Sequence, residues 1–201
     1  PMQINIDRKT GALIGVIVLL AAAVVSLSIN RSDTINMGTA SGHMGHGSST
    51  SSNANYTEAD LMFLQMMIPH HQQAVDLGEM AQNGEAGPDV LALANAIAED
   101  QTHEIEQMQA WLKAAGASEH MDHDMGMDGM LTETQLETLK AAKGEEFDRL
   151  FLEGMIAHHE GAISMAQDVV DSKNTEVAEL AASIIESQTK QIQQMKQLLG
   201  N

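Results

Sequence analysis

Two copies of the phrase Met-Ile-x-His-His, at residues 67–71 and 155–159, hold four of the nine histidines in this 201-residue chain. Helical residues three and four apart lie side by side, so each methionine would lie beside both histidines of its copy. Thioether sulfur favours Cu(I) and, by the same softness, Ag(I), whereas imidazole binds Cu(II) strongly. The phrase therefore predicts copper sites that also suit silver. Their expected ligands are Met67, His70 and His71 in the first copy and Met155, His158 and His159 in the second.

Further methionines, from a total of 15, extend this ligand set. Met62 and Met66 precede the first histidine pair by one to two turns, and Met165 follows the second pair by a similar distance. On a helix these positions continue a track of sulfur beside the histidines. Met108 and Met195 occupy matching positions later in the two copies. They are accessory candidates, since core packing is the commoner role of a helical methionine.

Two Met/His-rich tracts and one further histidine complete the candidates. A Ser/Gly/Thr-rich stretch contains His-Met-Gly-His, and residues 117–131 are rich in His, Met and Asp. Such tracts are a compositional signal for metal, and we expect auxiliary sites there because loops must be ordered before they bind. The further histidine is His103, which lies beside Glu104 and Glu106 on a predicted helix. Together with Met108 and Met195, the accessory set is His43, Met44, His46, His103, His120, Met121, His123, Met125, Met127 and Met130.

The chain contains no cysteine and is strongly acidic. The lack of cysteine excludes a disulfide framework, a thiol nucleophile and a thiolate metal site, so the Met/His set points to copper rather than zinc or iron. The formal net charge is −18, and residues 1–57 contribute +1 of it, so residues 58–201 carry −19. That field disfavours nucleic acid and anionic lipid as partners and attracts metal cations, although simple solubility explains it equally well.

The N-terminus predicts export. Residues 11–29 form an uncharged apolar run behind Arg8 and Lys9, which is typical of a signal peptide or of a short membrane-spanning helix. We expect residues 1–31 to be a signal peptide or membrane anchor. Residues 32–201 would then lie in the periplasm or another extracytoplasmic space. An uncleaved N-terminal segment would anchor the protein to the inner membrane.

An internal repeat underlies the two phrases. When residue 60 is aligned with residue 148, apolar and histidine positions coincide, and after one deleted residue the match resumes between 101–112 and 188–199. Each copy has the pattern of two amphipathic helices joined by a turn, so the sequence predicts an all-α, four-helix bundle of two hairpins. The expected order is a flexible linker at 32–57, hairpin repeat 1 at 58–116, a Met/His/Asp-rich loop with a short helix at 117–144, and hairpin repeat 2 at 145–201.

Capping residues predict the ends of these helices. Thr57 with Asp60, and Thr132 with Gln135, have the spacing of an N-terminal capping box. Pro88 suits the first turn of a helix, and glycines follow two of the expected ends. The expected helices run from Thr57 to about residue 82, from 88 to about 116, and over about 133–142, 145–171 and 176–199.

The two phrases, MIPHHQQAVDLGEMA and MIAHHEGAISMA, are each followed by a helix with Gln-x-x-x-Ile-x-x-Met. In these features the chain resembles the exported bacterial proteins grouped as domain of unknown function 305, over about residues 58–112 and 145–199. The resemblance implies a ferritin-like bundle. For two-copy members with Met/His-rich tails it also implies copper and silver handling at the positions of the phrase. Lys190 replaces His103 in the second copy, so the two halves are not expected to bind identically.

Three functions compete for these residues. The leading interpretation is a non-enzymatic protein that buffers or sequesters copper and so confers resistance, with no protein partner indicated. A ferritin-like di-metal oxidase is the second, but its Glu-x-x-His pair does not occur in the sequence. A metal-free helical scaffold or adaptor is the third. Because unperturbed imidazole has a pKa of about 6.5, we also expect Cu(II) binding to weaken below about pH 6.

Overall fold

The described part of the chain consists of helices and short connections. A computed structural model describes residues 56–119 and 127–200, in which no strand occurs, and the all-α prediction is confirmed. The five helices are α1 (Glu58–Asn83), α2 (Pro88–Ala115), α3 (Glu133–Ala141), α4 (Glu145–Gln167) and α5 (Thr175–Leu198).

Several predicted features lie outside the described residues. They include the apolar segment 11–29 and seven accessory candidates, namely His43, Met44, His46, His120, Met121, His123 and Met125. None of the helices in the described ranges combines the length and apolarity that crossing a membrane requires. Export and the two Met/His tracts therefore stay sequence-based predictions.

Two helices begin at the predicted capping boxes, and one helix ends earlier than predicted. Reciprocal capping boxes begin α1 at Thr57 and α3 at Thr132, and the side chain of Asn174 caps α5. The exception is α4, which ends at Gln167 rather than near residue 171. There the next two backbone N–H groups bond to carbonyl oxygens three residues earlier, which tightens the chain into a turn.

The core joins the two hairpins. α1 packs against α2, α4 packs against α5, and α1 packs against α4. The buried apolar residues form two clusters, and both hairpins contribute to each of them. Met67 of α1 shares one cluster with Ala162 of α4, and Met155 of α4 shares the other with Ala74 of α1. Full burial of a methionine or leucine side chain contributes about 1.5–3 kcal/mol. Because both clusters need residues from both hairpins, each hairpin depends on the other for much of its stability.

Two equivalent aspartates tie the hairpins together at their ends. Asp60, at the start of α1, accepts a 2.6 Å hydrogen bond from the Ser172 hydroxyl between α4 and α5. Asp148, at the start of α4, accepts hydrogen bonds of 3.0 and 3.1 Å from the Gly87 N–H between α1 and α2. The start of each of these helices therefore lies near the end of the other, so α1 and α4 are antiparallel.

The segment that precedes α3, residues 127–131, crosses α1 and α4 and is called the connector below. On α1, the Gln73 side chain pairs with the backbone of Leu131 through hydrogen bonds of 2.8 and 3.1 Å. On α4, Gly161 leaves room for the backbone of Asp128, whose oxygen would lie 2.0 Å from a Cβ atom at that position. Gln73 and Gly161 are equivalent in the repeat. The connector is thereby fixed over the two helices that carry the histidine phrases.

Candidate metal centre

The four histidines of the repeated phrase lie inside the bundle, on α1 and α4. All four are fully buried, with 0% of their surface exposed. The rings of His70 and His158 are close, with centroids 3.8 Å apart, whereas the two rings within one phrase are 6.4 or 6.2 Å apart. The structure thus pairs histidines across the repeat, where the sequence had suggested one site within each phrase.

Backbone carbonyls hold the central pair of rings. The Nε2 atom of His158 lies 3.0 Å from the carbonyl oxygen of His70. The Nε2 atom of His70 lies 3.3 Å from the carbonyl oxygen of Asp128 in the connector. Because a carbonyl oxygen only accepts, Nε2 must carry the proton of each neutral ring. The Nδ1 atom of each ring then keeps a free lone pair.

The outer pair of rings faces side chains on α2 and α5. The Nε2 atom of His71 lies 2.7 Å from a Glu104 carboxylate oxygen, and that of His159 lies 2.7 Å from the Gln191 amide oxygen. The Gln191 amide is oriented by Asp100, whose carboxylate accepts from the amide nitrogen at 3.4 Å. Both outer rings therefore also donate through Nε2 and keep the lone pair on Nδ1.

Eight polar side-chain atoms on α1, α2, α4 and α5 are buried without a hydrogen-bond partner. They are the four Nδ1 atoms and the amide nitrogen and oxygen atoms of Gln101 and Gln188. A buried polar group left in this state costs about 1–3 kcal/mol, so a folded core rarely keeps several of them together. A ligand that accepts the lone pairs would remove the penalty. Neutral imidazole nitrogen is a common metal ligand, so the cluster suits a metal ion.

Burial keeps three of the histidines neutral. It lowers the pKa of His158 to about 2, and the neighbouring His70 ring adds to the shift. It lowers the pKa of His70 to about 3, with a further contribution from His71. The pKa of His159 falls to about 4, again chiefly through burial, although its hydrogen bond with Gln191 opposes the shift. The lone pairs of these three rings are therefore available at neutral and mildly acidic pH.

The predicted sulfur ligands divide between the core and its edge. Met62 is 38% exposed, and His103, on the outside of α2, lies 3.8 Å from the Glu106 carboxylate. Neither residue takes part in the buried histidine cluster. Four methionines are partly buried, namely Met66, Met127, Met130 and Met165. Four are fully buried, namely Met67, Met108, Met155 and Met195.

The described residues contain no ready-made metal site built from histidine, cysteine and carboxylate ligands alone. Within residues 56–119 and 127–200, no three His, Cys, Asp or Glu side chains lie together as a metal-binding group. The other predicted donors inside the bundle are the thioether sulfur atoms of Met67 and Met155, whose side chains are fully buried. Sulfur with imidazole is a donor set that copper accepts in both of its common oxidation states.

Sequence reasoning missed the polar partners of the outer histidines and the unpaired glutamines buried on α2 and α5. Gln101 and Gln188 are the first residues of the Gln-x-x-x-Ile-x-x-Met pattern, and both are buried. The side chains that contact His71 and His159 are not identified from the sequence. The repeat carried the signal, because a polar residue that recurs on the inner face of both copies needs a partner in the core. The missed residues are Gln101, Glu104, Gln188 and Gln191.

Fold and site together define a bundle of two repeated helical hairpins with a buried histidine centre. The chain belongs to the family described as Domain of unknown function (DUF305), whose family model matches residues 60–199. Among curated proteins, no sequence matches the chain.

Solved structures share this fold. A DUF305 protein from Streptomyces coelicolor that is predicted to be secreted is 30% identical, with a TM-score of 0.68, over 71% of this chain and 92% of its own. A DUF305 fragment from Deinococcus radiodurans is 32% identical, with a TM-score of 0.67, over 72% of this chain and 97% of its own. CopM in its Cu(I)-bound form is 35% identical, with a TM-score of 0.60, over 73% of this chain and 97% of its own. CopM was also solved with Cu(II), with silver and in the apo form.

Proposed function

We propose that this protein binds copper, and silver by the same chemistry, outside the cytoplasm and without catalysis, so that it buffers or sequesters the ion. The observation that carries the proposal is the set of four buried Nδ1 lone pairs without partners, on helices that also bury thioether sulfur. CopM, which was solved with Cu(I), Cu(II) and silver at about a third identity, supports it. The proposed ligands are Met67, His70, His71, Met155, His158 and His159.

The donor set favours copper over the other common metals. Imidazole binds Cu(II) above the other divalent ions, and thioether sulfur prefers Cu(I) to hard ions. Ferritin-like iron sites take glutamates from all four helices. In the described part of this chain, Glu104 is the carboxylate that contacts the histidine cluster, and it does so at the edge of the core.

Burial favours storage over catalysis. A substrate must reach the metal of an enzyme, usually through an open cleft. These histidines have no exposed surface, so an ion bound between them would be shielded from water and from other solutes. Such shielding suits a protein that sequesters a reactive ion.

We place this function outside the cytoplasm. The apolar N-terminal segment and the relative that is predicted to be secreted both support export. A reporter fused after Asn201 should be active only outside the cytoplasm. Activity inside the cytoplasm would contradict the proposed location.

Exchange of the outer histidines for glutamine tests metal binding in the chain from residue 32 onwards. The amide nitrogen of glutamine can replace Nε2 as the donor to Glu104 and Gln191, whereas the Nδ1 lone pair is lost. We expect H71Q/H159Q to keep its helical circular dichroism but to lose tight binding in competition titrations with Cu(I), Cu(II) and Ag(I). H103Q is the matched control, because this exposed histidine should contribute little.

Replacement of the Met/His tracts is the complementary experiment. Residues 37–47 and 120–126 are exchanged for Gly/Ser segments of equal length, and the connector is kept because it packs on the bundle. We expect a lower stoichiometry with tight binding unchanged. If the tract variant loses tight binding while H71Q/H159Q keeps it, the tracts rather than the buried histidines are the high-affinity sites. A wild-type chain that binds none of the three ions would favour the metal-free scaffold.

A further inference from the structure

One carboxylate distinguishes the two halves of the buried cluster. His71 and His159 are equivalent in the repeat, both are fully buried, and each donates through Nε2 over 2.7 Å. The acceptor is the Glu104 carboxylate in the first half and the Gln191 amide oxygen in the second. At equal distance, the halves therefore differ in the charge of the group behind the ring.

We propose that this difference gives the two halves different oxidation-state preferences. Glu104 acts as the positioning residue that directs Cu(II) to His71, and Gln191 leaves His159 to Cu(I) or Ag(I). The inference rests on the proposed function and refines it. It assigns roles to two residues that lie outside the repeated phrase.

The carboxylate acts on the metal through the imidazole ring. A charge-assisted hydrogen bond at Nε2 is stronger than a neutral one and makes Nδ1 the better donor to a metal. The negative charge also favours the ion of higher charge, and Cu(II) carries one more positive charge than Cu(I) or Ag(I). The amide of Gln191 orients its ring without adding that charge.

Neighbouring charges leave this contrast in place. Lys190, next to Gln191, adds a cation to the second half, although it is exposed and paired with a glutamate on its own helix. His103 occupies the equivalent position in the first half, on the outside of α2. Asp100 approaches the second half only behind the Gln191 amide, 3.4 Å from its nitrogen. Among the described residues, Glu104 is the carboxylate in direct contact with a ring of the cluster.

Reciprocal exchange tests the inference, because each half supplies the matched control for the other. E104Q makes both acceptors neutral, Q191E makes both acidic, and E104Q/Q191E exchanges them. Glutamate and glutamine have nearly the same shape, so packing is disturbed little. Q191E is made together with D100N, because the Gln191 amide donates to the Asp100 carboxylate. In the metal-free protein, long-range proton–nitrogen couplings should show His71 and His159 protonated at Nε2 in the wild type and in every variant.

In Cu(II) competition titrations of the chain from residue 32, E104Q should weaken one site by about tenfold or more, since hydrogen-bond partners of ligating histidines are worth about 10–100-fold in affinity. Ag(I) affinity should change far less. Q191E should strengthen Cu(II) binding at the other site. A tenfold loss for Cu(II) at constant Cu(I) affinity raises the potential of the site by about 59 mV. The remote-nitrogen signals in pulsed electron paramagnetic resonance should also change with the acceptor.

Equal losses of Cu(II) and Ag(I) affinity in E104Q would overturn the inference, because Glu104 would then act on packing alone. An unchanged potential in E104Q, or no gain of Cu(II) affinity in Q191E, would also overturn it. A wild-type chain that binds neither copper nor silver removes the proposed function together with the inference. A wild-type chain that binds both ions, with variants that behave alike, removes only the inference.

Discussion

At the scale of single residues, protonation of the buried histidines links the site to stability. His158, His70 and His159 have pKa values of about 2, 3 and 4 in the folded chain. In an unfolded chain the same rings titrate near pH 6.5. Between these values the unfolded state binds more protons than the folded state, so acid favours unfolding.

We predict that the free energy of unfolding falls as the pH is lowered from about 6.5 to about 4. Each of the three rings contributes up to about 1.4 kcal/mol per pH unit in this window. The pKa of Asp100 is raised by burial and then by the charge of Glu104, which opposes the trend. Urea unfolding between about pH 7.5 and 4.5 measures the slope. H158Q removes one titrating ring and should flatten the slope, and an unchanged slope would contradict this explanation.

The same pKa values change the expected effect of acid on Cu(II). The ordinary imidazole pKa predicts loss of Cu(II) below about pH 6. In the folded protein, protons compete for the Nδ1 atoms of His70, His158 and His159 only at much lower pH. Loss of Cu(II) from these three rings near pH 6 would therefore follow unfolding rather than protonation of the rings. Metal release and loss of helical signal should then occur together.

The sequence identifies the candidate ligands but not their neighbours. The histidine pairs are visible because the repeat places them in identical surroundings. The contact between His70 and His158 joins residues 88 positions apart, and it depends on how α1 crosses α4. The contacts of Glu104 and Gln191 likewise depend on helix register and on side-chain rotamers. No local pattern encodes these quantities.

At the scale of elements, local signals predict where helices begin better than where they end. A capping box involves residues three apart, so Thr57 and Thr132 can be recognised from the sequence alone. The end of α4 depends on tertiary contacts instead. The turn after Gln167 buries Val169, and the same loop holds Ser172 against Asp60.

Gly161→Ala should destabilise the protein by displacing the connector. A Cβ atom would lie 2.0 Å from the backbone oxygen of Asp128, and backbone yields less readily than a flexible side chain. We expect a loss of about 1–3 kcal/mol, measured by thermal denaturation, with faster amide exchange at Leu131. Gly154→Ala is the control, because its Cβ atom would meet only the end of the Leu131 side chain, at 3.0 Å. Equal melting temperatures for the two variants would contradict the close contact at Gly161.

The aspartate contacts predict independent losses at the two ends of the bundle. Asp148→Ala leaves the Gly87 N–H without its acceptor and should cost about 1–3 kcal/mol. Asp60→Ala should cost at least as much, because Asp60 is 1% exposed and also caps α1. Since the contacts lie far apart, the double variant should be additive within about 0.5 kcal/mol in urea unfolding. A coupling free energy above this value would mean that the contact at one end depends on the contact at the other.

At the scale of the whole molecule, the formal charge of −18 governs the encounter with cations. A field of this sign raises the local concentration of metal ions, and salt screens it, with a Debye length of about 10 Å at 0.1 M. We predict that the association rate of Ag(I) in stopped-flow mixing falls as nitrate salt is added. The dissociation rate should change less, because the proposed ligands are buried. An association rate that is insensitive to salt would assign the charge to solubility.

The fold class follows from the sequence because two amphipathic hairpins must bury their apolar faces against something. The repeat makes each hairpin the natural partner of the other. The sequence does not show that Met67 and Met155 enter different core clusters, since that depends on the antiparallel placement of α1 and α4.

The contact between His70 and His158 and the paired aspartates indicate an approximate twofold axis that relates the two hairpins of the bundle. A homodimer of one hairpin would have a true axis, and every substitution in it would occur twice. A glutamate behind one histidine would then stand behind both. Covalent fusion of the copies removes that restriction, so Glu104 and Gln191 can differ while the geometry around them stays matched. A single fused polypeptide can thus diverge at one site while preserving its twin, which no symmetric pair of identical hairpins can do.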